Sequence, residues 1–426
     1  MPRKTGFMPW LVVFSAALFF FYEFIQMNMI SSLAPYLLQT FNLDAEQLGN
    51  LSATYFYSAI IFLLPAGQIL DRISTRKVIL TALMTCVIGT ALFAFAPNYV
   101  YAQISRFLTG IGSAFCFLSC IRLASRWFSS DKMALVSGFV VTMAMLGGTV
   151  AQTPFTLLIN YLNSWRHAIL VDAGLGLLFW IIIYLVVKNY PSESQHLAQK
   201  HQQELSQLGY WQAMKKSYLK LGNWLCGCYT SFMNLPIFLI GGGGFGALYL
   251  EQAKHLSTLQ ASYPPMMIFF GTVVGSPLAG WVSDAMGRRK LPMQLGAVIS
   301  IGIIFAIIYG QETLPMYSVL FFLLGLVSST QIISYPTVSE SNPKILTATC
   351  VSVVSFSALT GGAIFQPFFG FLMDHFGEFK MINQIHVYSE QTYHHAMLVM
   401  PVTMLIALVA TLFIRETFCR EINNSK

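Results

Sequence analysis

Twelve long apolar segments follow one another along the chain and set the strongest limit on what it can fold into. An α-helix needs roughly 20 apolar residues to cross a bilayer. In lipid the backbone polar groups must find partners within the protein, so only helices and closed barrels span membranes. These segments are too long and too continuous for barrel strands. The sequence therefore predicts an all-α polytopic membrane protein, with segments near residues 9–38, 47–70, 78–96, 99–127, 132–160, 166–188, 218–250, 258–283, 291–310, 315–339, 344–374 and 391–415.

The charges are few and unevenly placed. Only 10% of the residues are charged and 55% are hydrophobic, whereas soluble domains carry about 25% charged residues. With the N-terminus in the cytoplasm, nearly all of the 24 Lys and Arg residues fall on the cytoplasmic side. This positive-inside pattern predicts cytoplasmic N- and C-termini and an inner or plasma membrane location, and nucleic acid is not expected as a partner despite the net charge of +7. The exceptions are Arg106, Arg166, Lys254 and Lys380.

The first segment follows the short basic start "MPRKTGF" and could be mistaken for a secretory signal. Its apolar part is too long for one, contains Glu23 and leads into further segments. We therefore expect an uncleaved first helix.

No arrangement typical of an enzyme or a metal site stands out. The seven cysteines lie in the apolar segments or on the predicted cytoplasmic side, so no disulfide framework is expected. No nucleophile–base or metal-ligand pattern appears among the segments, and we expect neither catalysis nor a cofactor. Histidines cluster on the predicted outer side, where solvated loop positions are favoured over a metal site or an acid sensor.

A polar connection near residues 189–217 divides the segments six and six. This predicts an N-terminal bundle over 1–188, a cytoplasmic linker over 189–217 and a C-terminal bundle over 218–426. One loop occurs in both halves, as "GQILDRISTRK" from residue 67 and as "GWVSDAMGRRK" from residue 280, that is 280 − 67 = 213 residues later. A repeat of six helices is the plan of many secondary transporters.

These loops resemble the signature G-x-x-x-D-(R/K)-x-G-(R/K)-(R/K) of the major facilitator superfamily. The second copy is close, with Ala285 in place of a basic residue, whereas the first has Ser74 for the glycine and Thr75 for a basic residue. The resemblance implies two six-helix bundles around a central cavity that opens to each side in turn. It also implies that the loops act as a conformational latch formed by Gly67, Asp71, Arg72, Arg76, Gly280, Asp284, Gly287, Arg288 and Arg289.

Two shorter motifs are similar to the same family. "RFLTGIGSAF" matches its R-x-x-x-G-x-G pattern in the fourth helix, with Arg106, Gly110 and Gly112. "NSWRHAIL" matches the W-R-x-x-F turn before the sixth helix, with Ile169 at the last position. In the family the first, fourth, seventh and tenth helices line the cavity.

Glu23 stands within an apolar stretch, about fourteen residues into the first helix. At 1.5 Å per residue this depth is ~21 Å, near the middle of the bilayer. Gln26 lies three residues later and shares its helix face. Desolvation would favour the protonated carboxyl, so Glu23 is a candidate for proton coupling or for binding a substrate amine. The alternative is a protonated glutamate that bonds a neighbouring helix.

Arg106 is the second intramembrane charge, about eight residues or ~12 Å from the outer end of the fourth helix. Because a guanidinium does not lose its charge, it needs a carboxylate or another anion. Glu23, Asp172 and an anionic group of the substrate are the candidates, and a structural role is the alternative.

Neutral polar residues in other segments extend the candidate site. Each alone is explained by a bond between helices, but together they predict a moderately polar cavity suited to a small amphipathic solute. The stretch "LIGGGGFGAL" is interpreted as a gating hinge or as close helix packing. The neutral candidates are Tyr55, Gln152, Asn234, Gln331, Tyr335 and Gln366.

The fifth helix argues against drug efflux. Drug–proton antiporters of the family carry G-x8-G-x3-G-P there, but Ala151 and Gln152 occupy the Gly-Pro position of this chain. "RWFSSDKMALVSG" is similar to uptake branches, namely the organic-anion symporters and the lysosomal dipeptide transporters. We expect a monomeric secondary active transporter in the bilayer that couples uptake of an amino acid, short peptide or carboxylate to protons. Export of a drug or siderophore-like compound is the alternative, and a membrane receptor is a weaker one.

Overall fold

The computed structural model describes residues 7–128, 133–189, 217–310, 313–342, 347–382 and 385–420. The predicted linker 189–217 lies almost wholly outside these residues. Helices dominate the rest. Up to residue 189 they are α1 (Phe7–Asn28), α2 (Ile30–Phe41), α3 (Ala45–Arg72), α4 (Thr75–Ala94), α5 (Tyr99–Trp127), α6 (Met133–Val150), α7 (Thr153–Leu162) and α8 (Trp165–Val186).

The second part of the chain is also helical, with a π-helix, a 3-10 turn and one small hairpin. The hairpin pairs Phe379 with Tyr388 and was not expected in an all-α protein. The elements are α9 (Leu221–Met233), the π-helix Pro236–Gly242, α10 (Phe245–Gln252), α11 (Thr258–Met286), α12 (Lys290–Tyr309), α13 (Leu314–Ser328), the 3-10 turn Ser329–Ile333, α14 (Ser334–Glu340), α15 (Thr347–Phe376), β1 (Phe379–Ile382), β2 (Ile385–Tyr388), α16 (Glu390–Met397) and α17 (Val399–Phe413).

Ten helical stretches in the described residues are long and apolar enough to cross a membrane. The pair Gly138–Val150 and Thr153–Leu162, bent by 40°, makes eleven if it forms one span. The predicted segment 47–70 falls in α3, which has 28 residues, about 42 Å of helix. The set does not include this helix. A multi-pass helical membrane protein is confirmed, and the count of twelve stays a prediction.

Side-chain caps fix several helix ends. Asn98 accepts from the Tyr101 amide before α5, and Ser164 accepts from the His167 amide before α8. Ser257 and Gln260 form a complete capping box at the start of α11. These caps replace the helical partners that the first backbone N–H groups lack, so the loops between apolar segments can be short.

The chain divides into two compact units, each with its own set of packed helices. The first unit comprises Met1–Leu33 and Thr54–Gln207. Within it α4 packs against α5 and α8, and α1 packs against α5 and α6. A buried core fills the space between these helices, with Phe19, Leu83 and Leu123 among its members.

The second unit comprises Ala34–Ala53 and Leu208–Lys426. Its most extensive helix pair is α11 with α13, and α9 packs against α15 and α17. Glycines allow the first pair to touch: a Cβ on Gly271 would lie 2.1 Å from the Phe322 carbonyl oxygen, and one on Gly325 would lie 2.1 Å from that of Ile268. Small residues permit such close packing where lipid supplies no hydrophobic drive between helices.

Candidate functional site

Glu23 lies on α1 and is completely buried in the first unit. Its Oε2 accepts a hydrogen bond from the Tyr55 hydroxyl of α3 at 3.0 Å. Its Oε1 has no hydrogen-bond partner among the described residues. A Cβ on Gly112 of α5 would lie 2.8 Å from that oxygen, so the carboxyl group occupies space that the glycine leaves open. Glu23 is therefore a buried acid with one satisfied oxygen.

Arg106 on α5 is completely buried in the same unit. Its guanidinium carbon lies 5.0 Å from the centre of the Tyr55 ring. Nη1 donates to the Gln26 main-chain carbonyl at 2.6 Å, just before the junction of α1 and α2. Nε and Nη2 have no partner among the described residues. Arg106 thus presents two unpaired donors on a desolvated cation.

The ion pairs found in the described residues do not join Arg106 to Glu23 or Asp172, the two protein partners considered from the sequence. Tyr55 instead contacts both charged groups, because its ring faces the guanidinium and its hydroxyl bonds the carboxyl. An unpaired buried donor costs about 1–3 kcal/mol, and more when it is charged. The described residues therefore leave two guanidinium donors of Arg106 without an acceptor.

Gln26 connects this cluster to Asp172 on α8. Its Nε2 donates to Asp172 Oδ2, and its Oε1 accepts from the Thr90 hydroxyl of α4 at 2.9 Å. Sequence reasoning considered Asp172 only as a partner of Arg106 and did not single out Thr90. A carboxylate within an apolar helix of 22 residues was the signal that could have marked Asp172 as a site residue in its own right.

Gln152 lies in the first unit at the bend between α6 and α7. Its main-chain carbonyl accepts from the Ser32 hydroxyl at 2.9 Å and from the Thr156 hydroxyl at 3.2 Å. Ser32 also donates to the Ala151 carbonyl at 2.7 Å. These hydroxyls satisfy carbonyls that the bend exposes, so the contacts at Gln152 stabilise the bend.

The second unit has its own buried polar groups around the π-helix. Asn234 precedes it and donates from its side chain to the Thr230 carbonyl at 3.0 Å. Gln366 of α15 donates to the Phe238 carbonyl within it at 2.9 Å, and its Oε1 has no partner among the described residues. The helix interruption continues through the glycine tract, where Gly244 has φ +91° and precedes α10. The helix is thus locally distorted at the glycine tract, and the choice between a gating hinge and close packing stays a prediction.

Gln331 and Tyr335 lie near the 3-10 turn that follows α13. The Gln331 carbonyl accepts from the Thr230 hydroxyl at 3.3 Å, which links this turn to the residue that Asn234 also contacts. Its side-chain Oε1 is unpartnered among the described residues. The second unit therefore has buried amides and a phenol of its own, whereas Glu23 and Arg106 lie in the first unit.

Two predicted latch residues of the second loop, Asp284 and Arg289, form ion pairs within the second unit. Arg289 donates to Asp284 at 2.7 Å and to Glu340 at 2.6 Å, while its Nη1 also bonds Ser283 at 2.9 Å. Gly287 has φ +59° and ends α11, a conformation that favours glycine. The remaining predicted positions are Gly280, where a Cβ would meet nothing within 4 Å, and Arg288, whose carbonyl accepts from Ser283.

The first loop is described only in part. Of Gly67, Asp71 and Arg72 the structure describes the helical backbone alone. The Arg76 side chain donates to the Tyr184 carbonyl and lies 5.1 Å from the centre of its ring, while its amide donates to Asn189 at 2.9 Å. These contacts all lie within the first unit.

Glu416, which follows α17, caps the start of α12. Its carboxylate accepts from the amides of Arg289 at 2.8 Å and Lys290 at 2.9 Å, and also from those of Thr417 and Phe418. Partial burial opposes ionisation, but these backbone N–H groups outweigh it and hold the pKa of Glu416 below its usual value. Sequence reasoning did not identify this residue.

We expect Glu416→Gln to lower the thermal unfolding midpoint of the detergent-solubilised protein by a few degrees at neutral pH. A carboxyl whose pKa is depressed by folding stabilises the protein above the unfolded value of about 4.3, and this contribution is lost as pH falls through the folded value. The difference between the two proteins should therefore shrink as the pH is lowered from about 5 toward 3. Arg415→Gln, an exposed neighbour, is the control and should show no such convergence. A constant difference across that range would contradict the assignment.

Asp374, near the end of α15, caps α3 within the second unit. Its carboxylate accepts from the amides of Ala45 at 3.3 Å and Glu46 at 2.7 Å and from the Tyr388 hydroxyl. A Cβ on Gly370 would lie 2.2 Å from the Ala45 carbonyl oxygen, so the two helices touch here. The small hairpin positions Tyr388 for this contact.

Asp374→Ala should lower the stability of the protein by about 1 kcal/mol, because the first amides of α3 lose both their acceptor and a negative charge at the helix N-terminus. Thermal unfolding of the purified protein measures the change. Tyr388→Phe keeps the carboxylate and should cost less. Equal stability of Asp374→Ala and the parent protein would rule out a capping role.

Comparison with known proteins shows the family of the chain. The model of the Major Facilitator Superfamily matches residues 16–356 and 237–424. The chain belongs to this family. A probable sulfoacetate transporter of Cupriavidus necator is 24% identical over 301 residues, covering 67% of this chain and 68% of that protein. A D-galactonate transporter of Escherichia coli is 24% identical over 363 residues, covering 80% and 83%.

A solved facilitator structure has the same fold. The bacterial homologue of the human lysosomal transporter Spinster gives a TM-score of 0.77 at 16% identity and covers 97% of this chain and 98% of its own. The family and the named relatives are transporters. The predictions of a facilitator, of a multi-pass membrane protein and of a transporter rather than an enzyme are therefore confirmed.

Proposed function

We propose that this facilitator is a proton-coupled uptake transporter for a small organic solute that carries a carboxylate or a similar anionic group. Amino acids, short peptides and carboxylates fit this description. The observation that carries the proposal is Arg106, a buried guanidinium with two donors unpaired among the described residues. A guanidinium recognises a carboxylate through two parallel hydrogen bonds.

The named relatives support an anionic solute. One is called a probable sulfoacetate transporter and the other a D-galactonate transporter, and both of these compounds are organic anions. The cluster of Arg106, Tyr55 and Gln26 would bind the anionic end. Gln152 is a further neutral candidate in the first unit, and the neutral candidates of the second unit are Asn234, Gln331, Tyr335 and Gln366.

Glu23 supports proton coupling. A buried carboxyl with a tyrosine hydroxyl as its donor and no cation within ion-pair distance among the described residues is held most easily in its neutral form. An anion bound at Arg106 would change the field at Glu23 through their shared contact with Tyr55. Proton and solute would then be coupled within the first unit.

The proposed architecture has twelve spans, with α3 and the bent pair α6–α7 added to the ten apolar stretches. The bundles would cover 1–188 and 218–426 with the linker 189–217 between them, and both termini would lie in the cytoplasm. Alternating access of a monomer in the inner or plasma membrane would carry the solute. The two repeated loops, from Gly67 to Arg76 and from Gly280 to Arg289, would hold one of its conformations.

The solute can be found by a thermal-shift screen of the purified protein against amino acids, dipeptides, sulfoacetate and D-galactonate. A stabilising compound is then tested for uptake into proteoliposomes under an inward-directed proton gradient. Acceleration of uptake by the gradient supports proton-coupled import. If cells lacking the protein gain sensitivity to a compound instead of losing uptake, the protein is an exporter.

We expect Glu23→Gln to abolish accumulation against a concentration gradient while counterflow exchange of the same solute continues. The amide resembles a protonated carboxyl in shape but cannot release a proton. Glu378→Gln, the same change at an exposed carboxyl group, is the control and should retain accumulation. A Glu23→Gln protein that still accumulates solute in proportion to the proton gradient would refute coupling at this residue.

A further inference from the structure

Asp172 is a second buried carboxyl group that the proposed function does not use. It lies in the first half of the apolar helix α8 and is 4% exposed. No other aspartate is buried among the residues whose side chains are described. An ionised carboxylate in an apolar interior is very costly unless a cation or several donors compensate it.

The donors around Asp172 are few. Gln26 Nε2 bonds its Oδ2, and the same amide accepts from Thr90 through Oε1 at 2.9 Å. The Tyr22 hydroxyl has no partner among the described residues and faces α8, since a Cβ on Gly176 would lie 2.7 Å from it. Gly176 is one helical turn beyond Asp172. The surroundings are therefore an amide, a threonine and a tyrosine, all neutral.

Cations on the packed helices are engaged elsewhere or exposed. On α8 itself, Arg166 donates to the Ala94 carbonyl at 2.6 Å, and His167 is exposed. On α5, Arg106 donates to the Gln26 carbonyl. The other titratable groups that face this region are Tyr22 and Glu23 on α1 and Cys86 on α4, and none of them supplies a positive charge.

We infer that Asp172 is a second proton-binding carboxyl group, and that the Gln26 amide links its protonation to Arg106. Ionised Asp172 would accept from Gln26 Nε2, which is the contact present in the structure. When a proton from water binds Asp172, its new O–H becomes a donor and requires an acceptor. The Gln26 amide then turns by about half a revolution, so that Oε1 faces Asp172 and Nε2 faces Thr90. The main chain of the same residue is bonded to Arg106.

The protonation of Asp172 can be tested without any transported solute. Infrared spectra of protein labelled with carboxyl-13C aspartate are compared with those of unlabelled protein across a pH titration in detergent. Above about pH 6 exposed aspartates are ionised, since their usual pKa is about 3.9. We expect a carbonyl-stretch band of a protonated acid above that pH, shifted by the label, absent in Asp172→Asn and retained in Glu23→Gln.

A label-sensitive band that persists in Asp172→Asn would overturn the inference, as would the absence of any such band in the labelled parent protein. The second result needs no substitution, so it decides the matter even if Asp172→Asn does not fold. These spectra stand apart from the proposed function, which could fail while Asp172 still binds a proton.

The link to transport rests on the proposed function and needs its own measurement. Proton and solute fluxes are recorded together in proteoliposomes with the compound found by the thermal-shift screen. Asp172→Asn should lower the number of protons moved per solute by one, while counterflow exchange continues. An unchanged ratio in Asp172→Asn would separate Asp172 from coupling. A parent protein without proton flux would instead refute the proposed coupling as a whole.

Discussion

Arg106→Gln should reduce solute uptake by at least about 100-fold while the protein stays folded. Two charge-assisted hydrogen bonds of about 1.5–3 kcal/mol each would be lost with the guanidinium, which together correspond to roughly 100-fold or more in affinity. Stability should change little, because Arg106 has no carboxylate partner among the described residues whose charge would be left unpaired. Uptake into proteoliposomes and thermal unfolding report the two effects separately.

The matched variant is Arg106→Lys, which keeps the charge but not the planar fork of donors. It should recover only a part of the uptake, because an ammonium cannot form two parallel bonds to a carboxylate. Near-normal uptake by Arg106→Gln would assign the residue to packing at the α1–α2 junction. Full recovery of uptake by Arg106→Lys would show that the positive charge is sufficient for binding and that two parallel hydrogen bonds are not required.

Gly110→Ala should be the most destabilising single methyl addition in the first unit. Its Cβ would lie 2.0 Å from the Ser58 hydroxyl and 2.1 Å from the Tyr55 carbonyl oxygen on α3. A side chain can rotate away but a helix carbonyl cannot, so α3 and α5 would have to separate. Overpacking of this kind costs about 1–3 kcal/mol or more. The separation would also displace Tyr55 from Glu23 and Arg106.

The control is Gly174→Ala on α8, where a Cβ meets nothing within 4 Å. In a helix this change should be neutral or stabilising by up to about 1 kcal/mol. The yield of monodisperse protein and its unfolding midpoint measure both variants. Ser58→Gly combined with Gly110→Ala should not restore stability, because the Tyr55 carbonyl remains. If Gly110→Ala were as stable as Gly174→Ala, the result would contradict the close approach of α3 and α5 at Gly110.

The helices and the burial of Glu23 and Arg106 could be read from the sequence, because long apolar runs in lipid allow few structures and rare charges stand out in them. The contacts of these charges could not. Helix periodicity assigns Glu23 and Gln26 to one face, but side-chain rotation decides that Gln26 bonds Asp172 and that Arg106 bonds a main-chain carbonyl. Pairing Arg106 with a carboxylate was a chemical expectation that the described geometry does not follow.

The residues that sequence reasoning missed share a physical reason. Asp374 and Glu416 cap helices that begin far away in the chain, at Ala45 and Lys290. Such contacts depend on the tertiary fold, so the spacing of residues in the local sequence does not predict them. The hairpin that ends at Tyr388 could not be predicted either, since its strands have four residues each and lie in a connection between helices.

The cap that Glu416 provides has a consequence for biosynthesis. α12 begins at Lys290, yet the carboxylate that receives its first amides is added to the chain 126 residues later. During translation α12 is made before this carboxylate exists, and its first amides acquire that acceptor only after α17 has been made. A premature stop just after Phe413 would leave every apolar stretch intact, but the shortened chain would lack the Glu416 carboxylate that caps α12.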